Sequence, residues 1–155
     1  MALIFGVSMK NRLKLLVLCT GNSCRSQMAE GLVRSLKGDQ IEINSAGTEP
    51  KDRVHPLAVR AMKEIGIDIS AHHPKHLNQF LNQQFDYVWT VCDEAHEACP
   101  VFPGKAKLIH VSFEDPPRLA ANAKTDDQAM VHFRRVRDQI KEFVQRLPTA
   151  LTERE

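Results

Sequence analysis

The sequence predicts an α/β fold: a single three-layer α/β/α domain with a parallel sheet between the helices. Three observations predict it. Four short apolar runs have strand character, stretches with helical spacing separate them, and no repeat, low-complexity tract or linker divides the 155 residues. Strands alternating with helices require crossovers, which are right-handed and leave helices on both faces of the sheet, a doubly wound arrangement. This length is that of one domain, and an apolar share of 43% supplies its core.

The elements follow in order. Residues 1–12, "MALIFGVSMKNR", read as an N-terminal extension. They are mildly apolar but lack the basic n-region and full apolar stretch of a signal peptide, and Met9 is an alternative start. "LKLLVLC" (13–19) is a buried strand: short, apolar and continuous. "SQMAEGLVRSLKG" (26–38) is a helix with Ser26 as N-cap, Gly38 as its stop, and an apolar stripe of Ala29, Leu32, Val33 and Leu36. "IEINSAG" (41–47) is a second strand ending in a turn. "HPLAVRAMKEIGI" (55–67) is a helix with Pro56 in its first turn and Leu57, Met62 and Ile65 near one face. "DYVWTVC" (86–92) and "KLIHVSF" (107–113) are the third and fourth buried strands. "TDDQAMVHFRRVRDQIKEFVQRL" (125–147) is the clearest helix, with Met130, Phe133, Val136, Ile140, Phe143 and Leu147 at spacings of three and four. The domain is thus expected over 13–147, with 148–155 as a C-terminal tail.

Composition excludes several functions. Basic and acidic residues number 21 and 19, a net charge of +2 at pH 7, so no strong field for nucleic acid or a membrane surface exists. No apolar run reaches the roughly 20 residues of a membrane span. The expected location is the cytoplasm, and the expected state a monomer. Four cysteines in a reducing compartment point to redox or catalytic chemistry more than to a disulfide framework.

Cys19 ends the first strand, and "TGNSCR" leads straight into a helix. Ligands bind at the carboxyl ends of strands in such sheets. Exposed N–H groups and the helix dipole favour an anion there. Gly21 lets the backbone turn, and small neighbours let the N–H groups of Thr20, Gly21, Asn22, Ser23, Cys24 and Arg25 converge. Arg25 adds a planar fork of donors suited to a tetrahedral oxyanion. This positive setting is expected to lower the Cys19 pKa and make the thiolate a nucleophile aimed at the oxyanion's central atom. The alternative is a core cysteine with a chance arginine.

"VLCTGNSCRSQMAEG" resembles the phosphate loop of low-molecular-weight protein tyrosine phosphatases, and more closely that of the thioredoxin-linked arsenate reductases built on the same fold. The resemblance runs from about residue 13 to 147 and takes in "SAGTE", "AMKEIGIDIS", "DYVWTVCDEA", "CPVFPG", "DPP" and "FRRVRDQI". It implies a four-stranded parallel sheet, Cys19 as nucleophile, Arg25 as oxyanion clamp, and Ser26 as hydrogen-bond donor to the thiolate. It also implies Asp115 of "FEDPPR" as general acid. Pro116 biases Asp115 toward an extended conformation that holds the carboxyl away from the loop; otherwise Asp-Pro is simply a turn.

The second cysteine pair separates the two families. A phosphatase needs one cysteine, whereas a reductase must supply two electrons, which thiols deliver by forming a disulfide. Cys92 closes the third strand and so can face the same site as Cys19; Cys99 follows seven residues later. The resemblance implies a relay: arsenate attacked by Cys19, a Cys19–Cys92 disulfide with release of arsenite, then a Cys92–Cys99 disulfide reduced by thioredoxin. Glutaredoxin with glutathione is the alternative reductant, and phosphate and sulfate are expected competing anions. No tightly bound cofactor or metal is expected. "EPKDRVHP" and "PRLAANAK" lack the aromatics with which tyrosine phosphatases hold a phenyl ring. A regular helix over 92–99 would separate the two Cα atoms by about 10.5 Å, beyond a disulfide's roughly 4.4–6.8 Å, so the segment is expected to unwind on oxidation. The competing readings are a tyrosine phosphatase, a soft-metal or redox-sensing module holding an ion with Cys92, His96 and Cys99, and a pair of structural cysteines.

The remaining residues read more plainly. Cys24 is a packed small residue, or else a further resolving thiol. Some relatives hold potassium with residues matching Asn22, Glu30 and Ser45 plus an aspartate; Lys75 stands near that fourth position and either replaces the ion or is solvated. His72, His73 and His76 are expected at the surface, "RRVR" (134–137) on the solvated face of the last helix without a nucleic-acid role, and Trp89 in packing.

Overall fold

The computed structural model describes residues 11–93 and 102–153. Four strands, β1 (Leu13–Cys19), β2 (Ile41–Gly47), β3 (Tyr87–Thr90) and β4 (Lys107–His110), form one sheet in the order β2-β1-β3-β4. Every pairing is parallel. Helices α1 (Arg25–Lys37), α2 (Pro56–Lys63), α3 (Pro116–Leu119), α4 (Asp126–Gln145) and α5 (Thr149–Thr152) complete the domain, with a 3₁₀ turn at Leu77–Phe80. Chain order reverses at β1, which has β2 on one side and β3 on the other. That switch point opens a crevice at the carboxyl end of β1, where Cys19 lies.

Alternation along β1 divides the core. Leu15, Val17 and Cys19 join the cluster beneath α1, α2, α4 and α5, with Met28, Leu32, Phe133 and Ile140 among its members. Leu16 and Leu18 point to the other face, which among the described residues is covered by Leu77, Phe80, Phe85 and Phe102. Both faces are closed, as a doubly wound sheet requires, though by unequal means. The α4 stripe packs as its spacing predicts: Met130, Phe133, Val136 and Ile140 are fully buried, and Phe143 and Leu147 nearly so. Thr125 caps α4 by accepting the Gln128 N–H at 3.1 Å, and Asp126 and Asp127 complement the helix dipole.

Several expectations shift. The second helix ends at Lys63 because Gly66 turns left-handed at φ +80° and its N–H returns to the Lys63 carbonyl. The third strand stops at Thr90 and the fourth at His110, where the chain departs to form the rim of the crevice. β4 is an edge strand, buried only at Ile109, with Leu108 51% exposed. On α1 the stripe holds for Ala29, Leu32 and Val33, but Leu36 is 40% exposed and Met28 takes a core place. The tail expected from 148 does not run free: α5 places Ala150 and Leu151 in the core. Trp89 packs as expected, against Phe143 at 4.9 Å, with its indole N–H on the Val111 carbonyl. Among the described residues no helix is long and apolar enough to cross a membrane.

Candidate oxyanion-binding active site

Gly47 ends β2 directly opposite Cys19. A Cβ there would lie 2.3 Å from the Thr20 carbonyl oxygen, so only glycine lets the loop leave β1 at this angle. The loop turns at Asn22, whose φ is +48°, and not at Gly21 as expected. Asparagine tolerates the left-handed region, and here its side chain also fixes the turn. Asn22 Nδ2 donates to Ser26 Oγ at 2.8 Å and to Ser45 Oγ at 3.0 Å. Gln27 Nε2 donates to the Asn22 carbonyl and Oδ1, each at 3.1 Å. The loop is also laced to the segment after β2: the Glu49, Lys51 and His55 N–H groups donate to the carbonyls of Thr20, Gly21 and Ser23.

The thiol sits at the base of this loop. Cys19 is 3% exposed; its Sγ accepts the Asn22 N–H at 3.1 Å and lies 2.9 Å from Ser26 Oγ. Ser26 therefore serves the sulfur and leaves the capping position to Cys24, which makes no side-chain cap bond. Burial pushes the Cys19 thiol above its ordinary pKa, although Ser26, Arg25 and the N–H groups of Asn22 and Ser26 oppose it. The expected lowering by the positive loop is thus outweighed by desolvation. Cys24 is pushed well up, by burial first and then by the charge of Asp115, which suits a packed, unreactive thiol.

Arg25 closes the site from the first turn of α1. Its guanidinium donates to the Phe113 carbonyl at 3.0 Å, and its Nε stands 3.7 Å from Asp115 Oδ1. Asp115 is extended, at φ −86° and ψ 109°, just ahead of Pro116 in the first turn of α3. A cavity of about 630 Å³ lies over the loop, lined by residues 19–25 together with Glu49, Lys51, His55, Asp115 and Pro117. Among the described residues no phenylalanine, tyrosine or tryptophan lines it. The structure thus brings Cys19, Thr20, Gly21, Asn22, Ser23, Cys24, Arg25, Ser26 and Asp115 into one place. Cys92, two residues past β3, is fully buried at the crevice end of the sheet, where the Val91 N–H still pairs with the Leu18 carbonyl. It is held in a disulfide, whereas Cys19 and Cys24 are free. Cys99, His96 and most of the segment expected to unwind lie outside the described residues.

Behind the loop, an ammonium stands against a buried carboxylate. The Ser45 hydroxyl donates to Glu30 Oε1 at 2.6 Å, Arg34 to Oε2 at 2.7 Å, and the Lys75 ammonium stands 3.5 Å from Oε1. Burial would raise the Glu30 pKa, but Ser45, Lys75 and Arg34 together hold it below the ordinary carboxylate value. The Lys75 N–H also donates to Asn22 Oδ1 at 2.9 Å. These residues do not fit a potassium ion, because an ammonium already supplies the charge. Among the described residues no cluster of three histidine, cysteine or acidic side chains is placed for a metal.

Two groups read as surface are partly interior. His72 is half-buried, 3.1 Å from Gln27 Oε1 and 3.7 Å from Glu30, while His76 caps the 3₁₀ turn. Arg137 is 8% exposed and ties α4 to α2 through the Ala61 carbonyl and Glu64. Gln27 and His55 are site residues that the sequence reading passed over. A histidine directly before a proline that opens a helix was the available signal for His55.

The profile of the low-molecular-weight phosphotyrosine protein phosphatase family matches residues 14–155. An arsenate reductase of Halalkalibacterium halodurans is 45% identical over 130 residues, covering 84% of this chain and 91% of that protein. One of Bacillus subtilis is 42% identical over 132 residues, covering 83% and 92%. A solved arsenate reductase in the phosphate-binding state superposes with a TM-score of 0.72 at 34% identity, over 92% of this chain and 99% of that one.

Proposed function

Because the chain belongs to the low-molecular-weight phosphotyrosine protein phosphatase family, we propose that it turns that family's oxyanion loop to reduction: it is an arsenate reductase. Its relatives at 42–45% identity carry that activity in their names. The observation that carries the reading is the state of the thiols. Cys92 is in a disulfide while Cys19 is free, as a relay leaves them once the second exchange is complete. A phosphatase has no use for that bond.

Arsenate is held by the N–H groups of residues 20–25 and by Arg25. The Cys19 thiol passes its proton to an arsenate oxygen as its sulfur bonds to arsenic. The departing oxygen takes a proton from Asp115 and leaves as water. That transfer to substrate answers the raised pKa of the buried thiol, because the basic dianion itself removes the proton. Cys92 then attacks the Cys19 sulfur. The S–S bond forms, the S–As bond breaks, and its electron pair stays on arsenic, which departs as arsenite. Cys99 next attacks Cys92 and frees Cys19. The Cys92–Cys99 disulfide is reduced by an external dithiol, thioredoxin in this reading, so no bound cofactor is needed. The protein works as a cytoplasmic monomer, and phosphate and sulfate compete for the loop.

A tyrosine phosphatase is the second reading, since Cys19, Arg25 and Asp115 suffice for phosphoryl transfer. The charged mouth formed by Glu49 and Lys51, with no phenyl-bearing wall among the described residues, favours a small inorganic anion instead. Cys92→Ser decides between them. The variant should form the Cys19–arsenic adduct without releasing arsenite, and should keep weak aryl-phosphatase activity. Arsenite release at the parent rate would show that Cys92 is not in the relay.

A further inference from the structure

His55 stands in the site with no part in the chemistry above. Its backbone N–H donates to the Ser23 carbonyl of the oxyanion loop at 2.9 Å. Its Nδ1 accepts the Leu57 N–H at 3.1 Å and so caps α2. Its ring leans on Phe133 at 4.8 Å. With Nδ1 used as an acceptor, a neutral ring must carry its proton on Nε2. The ring and Pro117 together border both the oxyanion cavity and a neighbouring cavity of about 380 Å³ at the start of α4. Among the described residues the Nε2–H has no protein partner. Burial pushes the ring's pKa down, and Asp115 is the charge that most opposes this; Lys51 and Arg53 from its own loop and Asp126 from α4 are the others that reach it. The ring is therefore a neutral donor beside Asp115.

The Asp115 carboxylate stands 3.7 Å from Arg25 Nε. An oxyanion bound to Arg25 takes that guanidinium away and repels the carboxylate. We infer that His55 is the positioning residue for Asp115: once an oxyanion occupies Arg25, the imidazole Nε2–H holds the Asp115 carboxyl at the cavity mouth. This rests on reading Asp115 as the general acid. It gives the histidine a role beyond the helix cap, which a shorter side chain could fill equally well.

The test separates the two roles. His55→Asn keeps a good helix cap but removes the reach of Nε2. Carbon-13 NMR would follow the Asp115 carboxyl through a pH titration with inorganic phosphate bound. A donor to the carboxylate lowers its pKa, so the Asp115 midpoint should rise by about half to one pH unit in the variant. Phosphate affinity should stay at the parent value, and kcat for aryl phosphate or arsenate should fall about three- to tenfold with KM unchanged. His55→Asp also keeps the cap and adds a second carboxylate, so it should raise the midpoint further, and it serves if the asparagine variant folds poorly. Superimposable Asp115 titrations in folded parent and variants would overturn the assignment. So would a loss of phosphate affinity with the midpoint unmoved, which would mean that the ring contacts the oxyanion itself. Because phosphate binding needs no arsenate turnover, a parent that failed to reduce arsenate would count against the proposed function alone.

Discussion

Ser26→Ala isolates the hydrogen bond to the nucleophilic sulfur. Ser26 Oγ lies 2.9 Å from Cys19 Sγ, and Asn22 Nδ2, which donates to that oxygen, keeps its second acceptor in Ser45 Oγ at 3.0 Å. The substitution leaves one of the two Asn22 Nδ2–H groups without its acceptor, so the fold should lose about 1–3 kcal/mol. A hydrogen bond to a charged group is worth about 1.5–3 kcal/mol, and one pKa unit corresponds to about 1.36 kcal/mol. Removing it should raise the Cys19 pKa by about 1–2 units. Burial already raises this thiol, so at neutral pH the thiolate fraction should drop by a further ten- to hundredfold or so. Alkylation of Cys19 by iodoacetamide, resolved by peptide mass spectrometry across a pH series, reads this directly. The variant's profile should be displaced to higher pH and reach the same plateau. Superimposed profiles from two folded proteins would refute the claim that Ser26 tunes the sulfur.

Three further outcomes follow from the geometry. The parent should show no potassium-specific rise in melting temperature when potassium replaces a large organic cation, because Lys75 already stands on Glu30; Lys75→Met should create such a rise, and a rise in the parent would sink the idea. The Glu64 carboxyl is held down to about 2 from an ordinary 4.5, by Arg134 first and also by Arg137. A lowered carboxylate pKa adds stability above the unfolded value that is lost as pH falls through the folded one, so the parent should lose stability between about 4.5 and 2 and Glu64→Gln should flatten that window in urea titrations. Gly47→Ala should cost about 1–3 kcal/mol and abolish phosphate binding, since the new Cβ meets the Thr20 carbonyl; calorimetry with unchanged affinity would contradict the close-approach argument.

What the sequence revealed, and what it did not, divides along physical lines. β1 and β2 run over the predicted residues because their signal is local: a continuous apolar run for one, and a strand closed by a required glycine for the other. α4 was legible for the same reason: its spaced apolar residues Met130, Phe133, Val136, Ile140 and Phe143 are all buried, and the helix stops at Gln145, short of Leu147. The site's members were legible because they lie within eight residues of one strand end or beside an Asp-Pro pair. Long-range partnership was not. Nothing local shows that Arg137 reaches the Ala61 carbonyl, that His72 meets Gln27 and Glu30, or that β4 becomes an edge. The direction of the Cys19 pKa shift also depends on how deeply the loop is buried, which only the packed structure sets. Asn22 shows the same limit: glycine is the default for a turn, yet here the turning residue is the one whose amide binds Ser26 and Ser45.

The central claim is that the oxyanion loop and Cys92 together reduce arsenate. Arsenate added to the protein with thioredoxin, thioredoxin reductase and NADPH, with NADPH loss followed beside aryl-phosphate hydrolysis, tests it most directly. Sustained arsenate-dependent NADPH oxidation, abolished in Cys19→Ser and Cys92→Ser and accompanied by only weak phosphatase activity, is the predicted result. Rapid aryl-phosphate hydrolysis with no arsenate-dependent NADPH loss would contradict it and identify a phosphatase.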